Sequence, residues 1–159
     1  MTVTLRELTR DNWRACVALR VADDQQNFVA SNLYSIAEAQ FYPGILCRAV
    51  YAGETMVGFV MFGPDDEYSP ADERPDAYVL VRLMIDQAHQ GKGYGRAALE
   101  TVMSTLQREA GARFLYLSAV PENVSALALY RSAGFLPTGA VVDGEVMLRL
   151  ELPRDGVSV

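Results

Sequence analysis

Arg82-Leu83-Met84-Ile85-Asp86, followed by Gln90-Gly91-Lys92-Gly93-Tyr94-Gly95-Arg96, is the stretch that decides the fold. Tyr78 to Ile85 is a largely apolar run carrying one charge, Arg82, and predicts a strand. From about Tyr94 to Glu109, Ala98, Leu99, Val102 and Leu106 recur at helical spacing and predict an amphipathic helix. Three alternating glycines between these elements let the backbone curl closely, with no Cβ atoms in the way. A helix start leaves N–H groups without intrahelical partners, and its dipole favours negative charge. Strand, glycine turn and helix start together predict a cradle for phosphate oxygens, with Lys92 and Arg96 adding charge at its rim.

Three phosphate motifs compete for this turn. The P-loop pattern GxxxxGK[ST] is absent. A dinucleotide fingerprint, G-x-G-x-x-A, can be laid on Gly93, Gly95 and Ala98. It also wants an acidic residue ending the next strand, where Phe114 to Ser118 runs into Ala119-Val120-Pro121. The third, a pyrophosphate turn Q/R-x-x-G-x-G/A, is matched at every fixed position by Gln90, Gly93 and Gly95.

Outward from the turn, the N-terminal half predicts a strand from Val3 to Glu7 and a helix capped by Thr9 that runs to about Leu19. Asp23 to Phe28 is polar and irregular; Ile36 to Phe41 predicts a second helix, capped by Ser35 and ended by Pro43-Gly44. Strands at Leu46 to Tyr51 and Met56 to Phe62 flank a tight turn at Ala52-Gly53-Glu54, and Gly63 to Asp76 is a polar surface loop. On the C-terminal side, Phe114 to Ser118 predicts a strand. A helix follows from Pro121-Glu122-Asn123 to about Ala133, stopped by Gly134. Strands at Phe135 to Val141 and Val146 to Leu152 pair around Asp143-Gly144. The order β-α-α-β-β-β-α-β-α-β-β predicts a single α/β (α+β) domain over residues 1–153: a mixed, mostly antiparallel central sheet with helices on both faces. Residues 154–159 form a tail.

Asn123, Ala126, Leu129-Tyr130 and Gly134-Phe135 follow the glycine turn as N-x-x-A-x-x-L-Y-x-x-x-G-F. With both motifs in this order, the chain resembles the GNAT superfamily of N-acetyltransferases over nearly its whole length. The resemblance implies acetyl-CoA as co-substrate. Its pyrophosphate would rest on Gln90, Gly91, Lys92, Gly93, Tyr94, Gly95 and Arg96, and its pantetheine arm beside Leu83-Met84-Ile85. It also implies that Tyr130 is the general acid that protonates the coenzyme thiolate, a role that a phenol with a pKa of about 10 suits. Asn123 would meet the pantetheine amide, or else cap its helix. No side chain declares itself as base, and the backbone near Met84 and Ile85 would meet a developing oxyanion.

The resemblance also implies that the acceptor is an amine and that the N-terminal half selects it. Asp23 to Ala30, followed by Asn32, Ser35, Ala37 and Glu38, resembles bacterial diamine and spermine/spermidine acetyltransferases, as does the strand Tyr78 to Asp86. A polycation needs carboxylates and aromatic faces, and Asp23, Asp24, Gln26, Tyr34, Glu38, Tyr42 and Tyr78 are the candidates. Arg82, inside an apolar strand, needs a partner, and an ion pair with Glu38 that shapes the pocket floor is expected. Aminoglycosides and protein amines are alternative acceptors, and a sensor that binds acetyl-CoA without turnover is an alternative of another class.

Composition narrows the rest. The 159 residues suffice for one core, and 50% are hydrophobic, as expected for an ordered globule. Fourteen basic against twenty acidic residues give a net charge of −6, which disfavours nucleic acid and is compatible with a cationic substrate. No apolar run approaches the ~20 residues needed to cross a bilayer, and the N-terminus lacks the plan of a signal peptide, so a cytoplasmic enzyme is expected. Cys16, Cys47 and the single histidine, His89, show no ligand spacing, so no metal is expected. A homodimer is compatible with the sequence, since dimers are common among similar proteins.

Overall fold

Apolar alternation and tight glycine turns build the N-terminal strands. β1 (Thr4–Glu7), β2 (Leu46–Ala52) and β3 (Thr55–Pro64) pair in sequence, β1 with β2 and β2 with β3, both antiparallel. Gly53 makes the β2–β3 turn at a φ of 60°, a conformation that side-chain-bearing residues avoid. β3 is buried almost throughout, as a strand covered on both faces must be. The computed structural model describes residues 2–64 and 76–153. Most of the loop expected between Gly63 and Asp76, and the tail at 154–159, lie outside the described residues.

Seven strands form one mixed sheet in the order β1-β2-β3-β4-β5-β7-β6, where β4 is Ala77–Ile85, β5 Phe114–Ala119, β6 Leu136–Val142 and β7 Glu145–Glu151. The described residues group into two compact units. The first takes those up to Gly63 together with Val81–Thr101, and the second takes the remainder.

In the first unit, helix α1 (Trp13–Ala18) and helix α2 (Asn32–Ala39) flank a 3-10 turn, Asp23–Gln25. Cys16, Phe59, Met61 and Met84 form its buried cluster, with Leu19 and Ile36 packed against it. Thr9 leads the turn that enters helix α1 at Trp13: its Oγ1 accepts from Asp11 N at 3.2 Å, and the Asn12 side chain turns back on the strand end. Its Oδ1 accepts from Thr9 N at 2.7 Å and its Nδ2 donates to the Glu7 carbonyl at 3.0 Å, so residues 9–12 close a turn first. One expected cap is corrected here: helix α2 is capped by Ser31, whose Oγ accepts from Tyr34 N at 3.2 Å. Ser35 lies one turn inside that helix, buried, and donates back to the Ser31 carbonyl at 3.0 Å.

The second unit contains the opening residues of β4, the end of helix α3 (Tyr94–Ala110), β5, helix α4 (Val124–Ser132), β6 and β7. β4 and β5 run parallel from Ala77↔Phe114 to Val79↔Tyr116, which leaves Leu80 to Ile85 outside that ladder. β5 and β6 each pair antiparallel with β7. Asp143 and Gly144, with φ of 52° and 79°, close the β6–β7 hairpin as the mirror-image turn that twisted strands favour.

Candidate active site

Within the first unit, β4 ends at Ile85 and Asp86 redirects the chain. The Asp86 carboxylate caps a 3-10 turn, Gln87–His89, by accepting from Ala88 N at 3.2 Å. Gly91 and Gly93 then take φ of 77° and 85°. A Cβ at Gly91 would meet nothing within 4 Å, so it is backbone conformation and not crowding that calls for glycine there. The helical ladder of α3 opens with Ala97 N donating to the Gly93 carbonyl at 3.1 Å. The N–H groups of Tyr94, Gly95 and Arg96 precede it, at the end where the helix dipole favours negative charge. These amides, the dipole of a 17-residue helix and exposed Lys92 fit a pyrophosphate. Arg96 Nε donates to Glu100 Oε1 at 3.0 Å, one turn along the same helix. The Gln90 amide has a different task from the one its place in the motif suggests. Its Nε2 donates to the Ile85 carbonyl at 3.0 Å and to Gln25 Oε1 at 2.8 Å, so the side chain braces the turn from within.

β4 itself is pressed close to β3 at this point. A Cβ on Gly58 would clash with the Met84 carbonyl oxygen, so the missing side chain sets how near the two backbones come. Met84 also floors a cavity of about 360 Å³. Its walls are largely apolar, with Val17, Leu19, Val21, Val29 and Leu33 alongside Arg20, Gln26, Ser31 and Asn32. Asn32 is buried, and its Nδ2 donates to the Cys16 carbonyl at 2.8 Å and reaches Met84 Sδ at 3.7 Å. The Cys16 thiol is pushed up to about 12, first by burial and then by nearby Cys47, so it stays protonated and unreactive at neutral pH.

The acceptor candidates separate into groups. Gln26 lines the cavity and donates to Asp23 Oδ1 at 3.3 Å, which brings that pair together. Glu38 and Arg82 form the expected ion pair, at 3.5 Å. Tyr34 is exposed on α2 and Tyr42 is half-buried beyond it. Tyr78 falls in the second unit. Sequence reasoning missed Arg20 as part of this region, and it placed Gln25 and Asn32 in the acceptor stretch without giving either a role. Asn32 had a signal, since Asn32, Ser35 and Ala39 share one face of α2 and a polar residue there must be satisfied inside.

In the second unit, Asn123 Oδ1 caps α4, accepting from Ala126 N at 3.4 Å. Gly134, with a φ of 103°, ends the helix, and Phe135 N returns to the Tyr130 carbonyl at 3.0 Å. Tyr130 is buried, its ring 6.0 Å from that of Phe135. Burial pushes its phenol up to about 12.

Among the described residues no group of His, Cys, Asp and Glu is placed to hold a metal ion, and no helix is long and apolar enough to cross a membrane. The fold and the turn together define an α/β protein with a glycine turn at a helix start whose geometry suits a phosphate-bearing ligand. Residues 4–135 match the acetyltransferase (GNAT) family, and the chain belongs to it. It is an N-acetyltransferase with acetyl-CoA as co-substrate. It is 30% identical to the spermine/spermidine N(1)-acetyltransferase of Bacillus subtilis (strain 168), over 96% of this chain and 100% of that one. It is 31% identical to the aminoglycoside N(6')-acetyltransferase type 1 of Stenotrophomonas maltophilia, over 87% and 90%. In fold it is similar to the spermidine N-acetyltransferase from Vibrio cholerae in complex with CoA and spermine, with a TM-score of 0.73 at 18% identity, covering 95% and 96% of the two chains.

Proposed function

We propose that this chain acetylates a primary amine of a small polycationic acceptor, a polyamine such as spermine or spermidine. The observation that carries this reading is the likeness, over nearly the whole of both chains, to a spermine/spermidine acetyltransferase. The cavity in the first unit supports it. A polyamine is a string of methylenes between ammonium groups, and apolar walls suit the methylenes. Asp23, bonded to the lining residue Gln26, and its neighbour Asp24 supply carboxylates for a distal ammonium.

The same walls bear on reactivity. Only about one alkylamine in 2,500 is neutral at pH 7, so the nucleophile is about 4.6 kcal/mol away from its reactive form. An apolar surrounding disfavours the ammonium and lowers that gap. The cavity lining includes no carboxylate or imidazole, so in this reading the proton leaves by water.

Acetyl-CoA, when bound, supplies the acetyl group as an activated thioester. In this reading the N–H groups of the glycine turn and of Tyr94 to Arg96 hold its pyrophosphate, Lys92 adds charge, and the backbone of Leu83 to Ile85 lies along its pantetheine arm. Asn123 holds α4 by its cap, and Tyr130 Oη holds the proton given to the departing sulfur.

Free-thiol release from acetyl-CoA tests the acceptor, with spermine, spermidine, putrescine, aminoglycosides and a lysine peptide as the panel. Saturable release with spermine or spermidine and none with the others is the expected result. Release with aminoglycosides alone would replace the polyamine, a reading that the likeness to the Stenotrophomonas enzyme keeps in view. Tight acetyl-CoA binding with no release from any amine would overturn the polyamine reading.

A further inference from the structure

The pyrophosphate turn is joined, within the first unit, to the very segment that walls the cavity. Gln90 Nε2 donates to Gln25 Oε1 at 2.8 Å. Beside it, Arg20 N donates to Asp86 Oδ1 at 2.9 Å and Gln87 N donates to the Arg20 carbonyl at 2.7 Å. Leu19, Arg20, Val21 and Gln26 are cavity-lining residues, and Gln25 closes the 3-10 turn between them. Backbone bonds inside this segment are local, such as Gln25 N to the Ala22 carbonyl at 2.8 Å and Phe28 N to the Gln25 carbonyl at 2.9 Å. The two Arg20 bonds fix the start of the segment to the end of β4; beyond it, local bonds shape the turn at residues 22–26 and the side-chain bond from Gln90 ties that turn to residue 90. Gln25 and Gln90 are both half-buried, so water competes weakly for this bond.

We propose that Gln25 is a positioning residue: through its bond to Gln90, occupation of the glycine turn orders the wall of the acceptor cavity. This rests on the reading of the turn as the acetyl-CoA site. The reasoning is one of linkage. Ligand oxygens on the turn's N–H groups fix the backbone at Gln90. Both donors of the Gln90 amide are already committed, one to the end of β4 and one to Gln25, so fixing the turn restrains residues 22–26 through the second. By reciprocity, an acceptor that orders the wall tightens coenzyme binding by the same factor. Gln25 touches neither reactant and acts through its partner.

Amide hydrogen exchange with CoA as the probe tests this without knowledge of the acceptor. In the unaltered protein, CoA is expected to slow exchange in residues 90–97, and also in residues 22–26 by about 5-fold or more. Gln25→Ala should keep the protection at 90–97 and lose it at 22–26. Gln25→Glu should retain both, because a carboxylate oxygen still accepts from Gln90. A merely structural role for Gln25 would instead loosen residues 22–26 equally with and without CoA. Unprotected residues 22–26 in the CoA-bound unaltered protein, or protection at 22–26 surviving in Gln25→Ala, would overturn the coupling. Failure of CoA to protect residues 90–97 at all would sink the coenzyme reading of the turn, and the coupling with it.

Discussion

Arg82 and Glu38 form a half-buried ion pair, Nη2 to Oε1 at 3.5 Å, with the two side chains only 21% and 19% exposed. Arg82 Nη1 also donates to the Val81 carbonyl at 3.0 Å, whereas its Nε is buried with no hydrogen-bond partner. The guanidinium thus leans on Glu38 for charge compensation while one of its donors goes unused. Removing the carboxylate would strand a part-buried cation. Removing the arginine would delete the cation and its orphaned donor together.

The two partners should therefore respond unequally. Glu38→Ala is expected to lower stability by about 1–3 kcal/mol, the loss typical when a buried polar group keeps its charge and loses its partner. Arg82→Met should lose less, since an apolar chain of similar length suits the strand. Urea unfolding at pH 7 measures both. Equal losses would show that the pair is not limited by the stranded cation.

At Gly91 the expected penalty is one of backbone conformation alone. Its φ of 77° is left-handed and a Cβ would meet nothing within 4 Å. A left-handed alanine is strained by roughly 1–2 kcal/mol, while asparagine visits that region more readily. Gly91→Ala should weaken CoA binding by about 5–30-fold, with Gly91→Asn closer to the unaltered protein. Calorimetric titration with CoA gives the ranking. Alanine and glycine binding alike would mean that the turn does not hold this conformation around its ligand.

Much of this was legible in the chain because it is written locally. The strand at Tyr78 to Ile85, the glycine turn and the helix from Tyr94 each occupy one contiguous run, and a period or a spacing suffices to place them. The ion pair of Arg82 was foreseeable because a cation in an apolar strand has few ways to be satisfied. What escaped was written non-locally. Ser31 and Ser35 are equally good caps by type, and the choice between them depends on which one the core buries. The Gln90 amide belongs by motif to the phosphate site. It is turned inward by Gln25, 65 residues earlier in the chain, and no pattern around either residue announces that contact.

Tyr130 should separate chemistry from binding. Tyr130→Phe retains the ring and its packing on Phe135 but removes the proton at Oη, so kcat is expected to fall by about 10²–10⁴-fold with CoA affinity unchanged. Burial raises the phenol from 10.0 to about 12, and a general acid works while it is protonated. The raised value therefore keeps Tyr130 competent through neutral and mildly alkaline pH. A kcat profile with spermine should show no alkaline decline due to this group below about pH 10. A decline near pH 8 that disappears in Tyr130→Phe would contradict the assignment.

Alkaline pH should also unfold the protein by a route that begins at Cys16. The folded thiol is raised from 9.0 to about 12, chiefly by burial, whereas in the unfolded chain it ionises near 9. Below pH 9 both states hold the proton and the thiol contributes its full stability. Above pH 9 the unfolded state releases the proton and the folded state keeps it. Stability then falls by up to about 1.4 kcal/mol per pH unit for this one group, until the folded thiol ionises as well. Cys47, raised in the same direction by burial, adds to the slope, and Tyr130 joins between pH 10 and 12. Urea midpoints at pH 7.5, 9 and 10 should decline over the upper interval. Cys16→Ala begins from lower stability because it empties part of the core, yet its decline between pH 9 and 10 should be shallower. Parallel declines for the two proteins would show that the Cys16 thiol is not held protonated by the fold.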